Sequence, residues 1–186
     1  MTTSALIIVD LQLEYQSQGK LPLPGLDEAV ANARHILAAA RSMDELIIHI
    51  RHETPGGSGD TPFAPGMPAV EIIVDVAPLD SEVVLTKRYP NSFRETELKV
   101  RLDEAGVTDV VIVGAMSNMC IDATARAAFD FGFDVTVVHD ACAAMALSFD
   151  GHDVPADQVH AAFMAGLAFA YGRVISTTEL LEGGAR

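Results

Sequence analysis

Asp109-Val-Val-Ile-Val-Gly114 runs through Ala115-Met-Ser-Asn-Met119 into Cys120-Ile-Asp-Ala-Thr-Ala-Arg-Ala-Ala-Phe-Asp-Phe131. The first part is a short, uninterrupted, β-branched apolar run, the pattern of a strand buried on both faces. The last part is Ala-rich and closed by Gly132, the pattern of a helix with a glycine stop. A fully apolar strand followed directly by a helix is the repeating unit of a parallel α/β sheet. Further strands are expected at Ala5-Leu-Ile-Ile-Val9, Glu45 to Arg51, Glu82 to Thr86, Asp134-Val-Thr-Val-Val138 and Arg173-Val-Ile-Ser176. Helices are expected at Leu26 to Ser42, Thr96 to Ala105 and Pro155 to Ala170. The fold class is therefore α/β, three-layered, with a six-stranded and mainly parallel sheet, in one domain over residues 1–186.

Two stretches interrupt the alternation. Thr54 to Met67 is rich in Gly and Pro and reads as a long loop. Ala141 to Val154 joins the fifth strand to the last long helix. Long loops in compact domains often serve as lids or binding segments.

Composition narrows the function. Twelve Lys and Arg against 26 Asp and Glu give a formal charge of −14, which argues against nucleic-acid phosphates and anionic membranes as partners. No charge-free apolar run reaches membrane length, and Met1 to Ala5 lacks the basic residues of a signal peptide. Two cysteines do not make a disulfide scaffold, so a reducing cytoplasm is the expected compartment. There is no G-x-G-x-x-G after the first strand, no phosphate-binding P-loop and no G-x-S-x-G elbow.

Parallel sheets bind ligands beyond the carboxyl ends of their strands. Asp10 follows the first strand, His52 the second, Lys87 the third, and Cys120 comes shortly after the fourth. Ser117 or Asn118 is the expected N-cap of the following helix, which puts Cys120 in its first turn. Unpaired N–H groups there favour an anion, and with a lysine nearby the thiolate is expected to dominate. A buried, inert thiol is the competing reading of Cys120 and the preferred one for Cys142. Asp10 reads either as a turn cap or as a proton carrier, and Lys87 either as a surface lysine or as a partner of both. His49 and His52 stand three apart in a strand and point to opposite faces, so a shared metal is not expected. No cofactor is expected either.

At these residues the chain resembles the isochorismatase-like cysteine hydrolases. The carriers are Ala5-Leu-Ile-Ile-Val-Asp-Leu-Gln12, Leu85-Thr-Lys-Arg-Tyr-Pro-Asn-Ser-Phe93, Val113 to Arg126 and Gly132 to Cys142. The resemblance spans nearly the whole chain. It implies a Rossmann-like sheet, an Asp10–Lys87–Cys120 triad, an oxyanion hole from the Met116 and Cys120 N–H groups, a cis peptide between Ala115 and Met116, and a homo-oligomer, dimer or tetramer. It also implies attack on the acyl carbon of a small amide or lactam through a Cys120 thioester. The alternatives are vinyl-ether cleavage of the isochorismatase type and a non-catalytic binding protein. Arg51-His-Glu-Thr-Pro55 departs from the metal-binding stretch of nicotinamidases, whereas Ser117 to Thr124 looks more like streptothricin hydrolases. Tyr15, His52, Tyr89, Phe93 and Met119 are expected at the pocket mouth by their places after strands.

Overall fold

Strand order explains why reactive residues converge. The computed structural model describes residues 3–183. Its main sheet is built of β1 (Ser4–Val9), β2 (Leu46–His52), β3 (Val83–Lys87), β4 (Asp109–Ala115), β5 (Asp134–Ala143) and β8 (Arg173–Ile175). The spatial order is β3-β2-β1-β4-β5-β8, and every pairing is parallel. The chain runs outward from β1 to one edge, then returns and builds the other half from β4. The reversal point lies between β1 and β4, where such sheets open a crevice at their carboxyl ends.

Both faces of the sheet are covered. Leu6, Ile8, Val111 and Val113 pack under α1 (Leu26–Ser42), joined by Leu180 of α5 (Thr177–Glu182). Ala5, Ile7, Val9, Val110 and Ile112 pack under α2 (Leu98–Glu104), α3 (Asp122–Asp130) and α4 (Ala156–Ala170). Successive side chains of a strand point to opposite faces, so two covered faces require unbroken apolar runs. The expected three-layer α/β/α architecture is what the structure has.

The connection from β2 to β3 contains no α-helix. It crosses the α1 side as an irregular segment that buries Phe63, Ile73 and Val76. Backbone bonds from Leu13 N to Glu71 O and from Ile73 N to Leu11 O, both 2.9 Å, stitch it to the segment after β1.

Three local features differ from the sequence expectation. β5 continues to Ala143, because after a register shift Cys142 and Ala143 pair with Gly114 and Ala115. The following stretch forms an antiparallel hairpin of β6 (Leu147–Phe149) and β7 (His152–Val154). The last described element is a further short helix, α5, where the Ser176 hydroxyl accepts the Glu179 N–H and the Glu179 carboxylate accepts the Ser176 N–H. Among the described residues no helix is long and apolar enough to cross a membrane.

Candidate active site

Asp10 leaves β1 with a φ of 52°, in the left-handed region. Few residue types tolerate that conformation, and aspartate is one of them. The Asp10 N–H still donates to Ile50 O at 2.9 Å, so the backbone stays tied to the neighbouring strand while the chain turns away. The carboxylate is completely buried. Lys87 is the last residue of β3, is also fully buried, and has His52 as its register partner on β2. Its Nζ lies 2.6 Å from Asp10 Oδ2, 3.2 Å from Cys120 Sγ and 3.2 Å from His52 Nδ1. One ammonium thus holds together residues from three strand ends. The Asp10 carboxylate is also within hydrogen-bonding reach of the Cys120 thiol.

Cys120 is carried by a widened turn, not by the first turn of an α-helix. Residues Ser117–Ile121 form a π-type turn that leads into α3. Both Met119 N and Ile121 N donate to Met116 O, at 3.0 and 3.1 Å. The peptide between Ala115 and Met116 is cis. Neither Ser117 nor Asn118 caps the helix, contrary to the sequence expectation. The Ser117 hydroxyl donates instead to Ala143 O at 3.1 Å and lies 2.8 Å from His160 Nδ1. The extension of β5 and the approach of α4 supply those partners, and neither is visible from the local sequence.

Charge in this cluster is shared. Burial pushes the Asp10 carboxyl up, and Lys87 pulls it back only in part. Burial alone would lower Lys87, but the anionic forms of Asp10 and Cys120 outweigh it and hold the ammonium above its usual range. Burial and the Asp10 carboxylate both push the Cys120 thiol well up, against the pull of Lys87. The cluster thus places one buried cation between two groups, Asp10 and Cys120, each of which opposes ionisation of the other. Burial and the neighbouring carboxylate thus oppose the thiolate expected from the sequence, while Lys87 favours it.

Two aromatic side chains border this cluster. Tyr15 is buried, and its hydroxyl is raised by burial and then by the charges of Asp10, Cys120 and Glu14, so it stays protonated. Phe63, from the long loop, meets Tyr15 edge-on at 5.1 Å and His52 edge-on at 5.2 Å. His52 is driven down to about 4 by burial and by the Lys87 charge, which keeps the imidazole neutral. Gln12 fixes the backbone on either side of that ring, accepting from His52 N at 2.8 Å and donating to His52 O at 3.0 Å.

The remaining expected lining residues divide. Met119 is 44% exposed beside Cys120, so it lies where the turn meets solvent. Tyr89 is half-buried two residues past Lys87, with the Arg94 guanidinium 3.7 Å above its ring. Phe93 is elsewhere. It packs 5.2 Å from Phe131 and 6.2 Å from Phe133, at the opposite end of α3 from Cys120. The loop after β3 has turned down the α3 side by that point, held by Ser92 N donating to Thr124 Oγ1 at 3.1 Å. Phe93 is thus engaged in packing with the aromatic side chains that follow α3. Phe63, Gln12 and Glu14 were not read from the sequence as site residues. A local signal exists for Phe63, which is the lone aromatic side chain in a Gly- and Pro-rich loop.

The two histidines of β2 diverge as the strand geometry requires. His49 Nε2 lies 2.9 Å from Glu82 Oε2, while His52 faces Lys87. Among the described residues no three His, Cys, Asp or Glu side chains are grouped to hold a metal ion.

The model of the isochorismatase domain matches residues 4–179. The chain belongs to the isochorismatase family and is, with it, a hydrolase. A structure from Oleispira antarctica, described as an isochorismatase hydrolase, superposes with a TM-score of 0.93 at 45% identity, over 98% of this chain and 97% of that one. A streptothricin hydrolase of Streptomyces noursei is 35% identical over 82% of this chain and 51% of its own length. A maleamate amidohydrolase of Pseudomonas putida is 30% identical over 96% of this chain and 85% of its own length.

Proposed function

We propose that this isochorismatase-family hydrolase cleaves the C–N bond of a small amide or lactam, with Cys120 as nucleophile, Asp10 as proton carrier and Lys87 as the cation between them. The observation that carries the reading is the Lys87 ammonium, buried within 2.6 Å of Asp10 Oδ2 and 3.2 Å of Cys120 Sγ. The amidohydrolase among the relatives supports the choice of bond.

The thiol does not need to be ionised beforehand. Asp10 takes its proton as the Sγ–C bond forms, and Lys87 keeps a compensating charge beside whichever atom is anionic. The carbonyl oxygen gathers negative charge in that step. By the family resemblance, the N–H groups of Met116 and Cys120 are the proposed donors. Asp10 then returns the proton to the departing amine, leaving a thioester. Water attacks this thioester with Asp10 again as base, and the thiol is regenerated.

The acyl group is expected to be compact and partly apolar. Tyr15, Phe63 and a neutral His52 border the cluster, and the Lys87 charge is already matched. Tyr89 and Met119 complete the proposed rim, and a second copy of the chain is the expected partner. A panel of small primary amides and lactams, followed by ammonia release or ring-opening, tests the reading. Wild-type protein should turn over at least one of them and Cys120→Ala none. Undiminished turnover by Cys120→Ala would remove Cys120 as the nucleophile, and cleavage of a vinyl ether by that variant with no amide turned over by either protein would favour the ether-cleaving alternative.

A further inference from the structure

His160 lies on the second turn of α4, forty residues beyond Cys120 in the chain, yet its Nδ1 is 2.8 Å from the hydroxyl of Ser117. Ser117 is fully buried and is the first residue of the wide turn whose fourth residue is Cys120. Its hydroxyl has one proton, and Ala143 O accepts it at 3.1 Å. The bond to His160 is then completed by a proton on Nδ1. Ser117 is thereby held from two sides, by the last residue of β5 and by α4.

That double hold matters because of the kind of turn it serves. A π-type turn is wider and less regular than an α-turn, and such turns are rarely stable without outside contacts. Asp122 and Arg126 both lie within α3, so their bonds of 2.9 Å brace that helix and leave the turn itself to other contacts. The near side, at Ser117, has only the Ala143 and His160 contacts from its side chain. We infer that His160 is a positioning residue for the proposed nucleophile: through Ser117 it sets the turn that keeps Cys120 Sγ against Lys87 Nζ. The inference rests on the triad reading.

The imidazole is well suited to a test, because it is only half-buried. It lines a cavity of about 320 Å³ together with His139, Asp140, Cys142 and Asp157, so its removal leaves the core intact. With the near side of the turn released, Sγ drifts from Nζ and the thiolate loses its cation. Alkylation of Cys120 by iodoacetamide at pH 9, located by peptide mass mapping, reads this without any substrate. His160→Ala should slow it by roughly three- to tenfold, the equivalent of up to one pKa unit. His160→Asn, whose amide nitrogen can reach the place of Nδ1, should restore it, and His160→Gln, which reaches the place of Nε2, should not. Ser117→Ala should slow it as well, and the double variant should be no slower than the slower single one, because both changes break one contact. Unchanged or faster alkylation in His160→Ala, or equal rates in the Asn and Gln variants, would overturn the inference. Additive losses in the double variant would do the same. If His160→Ala does not fold, the Asn, Gln and Ser117→Ala comparisons still decide. Failure of the triad reading shows separately, as full hydrolysis by Cys120→Ala.

Discussion

Glu14 Oε2 accepts the backbone N–H of Phe63 at 3.1 Å, across forty-nine residues of chain, while Oε1 accepts the N–H of Lys20 at 2.7 Å. Glu14 is 1% exposed. A buried carboxylate thus fastens the long loop to the segment after β1, and Phe63 sits at the fastening with a φ of 56°. Such a backbone conformation is costly for a bulky residue and persists only where its surroundings enforce it. Thr54 N donating to Phe63 O at 2.9 Å supplies the second restraint.

Removing the carboxylate should therefore free the loop. Glu14→Ala is expected to lose roughly 2–3 kcal/mol of stability, because two N–H groups lose a charged acceptor. Proteinase K should then cut between residues 54 and 67 faster than in the wild type. Denaturant unfolding and timed proteolysis check both effects. Unaltered stability together with unaltered cleavage would mean that the loop is held by its apolar contacts alone.

A second test addresses the crevice between β1 and β4. Gly114 is paired with Val9 and has a φ of 131°. A Cβ there would collide with the Val9 carbonyl oxygen, which is backbone and cannot move aside. Gly114→Ala is expected to cost about 3 kcal/mol or more and to part the strand ends that carry Asp10 and Cys120. The readouts are the unfolding midpoint and amide turnover. A variant with wild-type midpoint and rate would show that the strand ends adjust freely.

His52 gives the protein a defined acid weakness. The imidazole has its pKa at about 4 in the folded protein, against an ordinary value of 6.5. Above 6.5 it is neutral in both folded and unfolded chains and contributes no pH dependence. As the pH falls from 6.5 towards 4, the unfolded chain binds a proton that the folded one does not. Stability therefore falls over that window, by about 1.4 kcal/mol per pH unit from this group at most. His52→Gln should remove that slope. His49 and His160, both also lowered by burial, remain in each protein, so the difference isolates His52. Parallel stability-against-pH curves for the two proteins would refute the assignment.

Much of this site could be read from the amino-acid order, for a simple reason. Asp10 and Lys87 stand where a fully apolar run stops, and in a parallel sheet such stops line up at one edge. What the chain does after a strand end is set by tertiary contacts, and these leave little local trace. Phe93 follows β3 closely in the chain, yet the loop turns to pack it near Phe131 and Phe133. The wide turn at Ser117 depends on Ala143 and His160, which are distant in the chain. Nothing local in Leu13-Glu-Tyr15 marks Glu14 as buried, because its partners come from Lys20 and the loop. The last helix does carry a local signal, since Ser176-Thr-Thr-Glu179 is a capping-box pattern.

The balance of charge between Asp10 and Cys120 gives the final prediction, in which two readouts move in opposite directions. The Asp10 carboxylate raises the Cys120 thiol, and Lys87 lowers it. In the wild type, burial and Asp10 prevail, so iodoacetamide at pH 6 should label Cys120 more slowly than it labels a free thiol. Asp10→Asn removes the repelling charge and leaves the ammonium. The thiol pKa then falls, the thiolate fraction rises, and labelling at pH 6 should accelerate about tenfold for each unit of that fall. Turnover should nevertheless drop by roughly 10²–10⁴-fold, because no group remains to carry the proton to the leaving amine. Lys87→Met reverses the first effect: the thiol loses its cation, and labelling slows further. Slower labelling in Asp10→Asn, or turnover that survives in it, would separate Asp10 from the proton transfer and leave Cys120 activated by some other group.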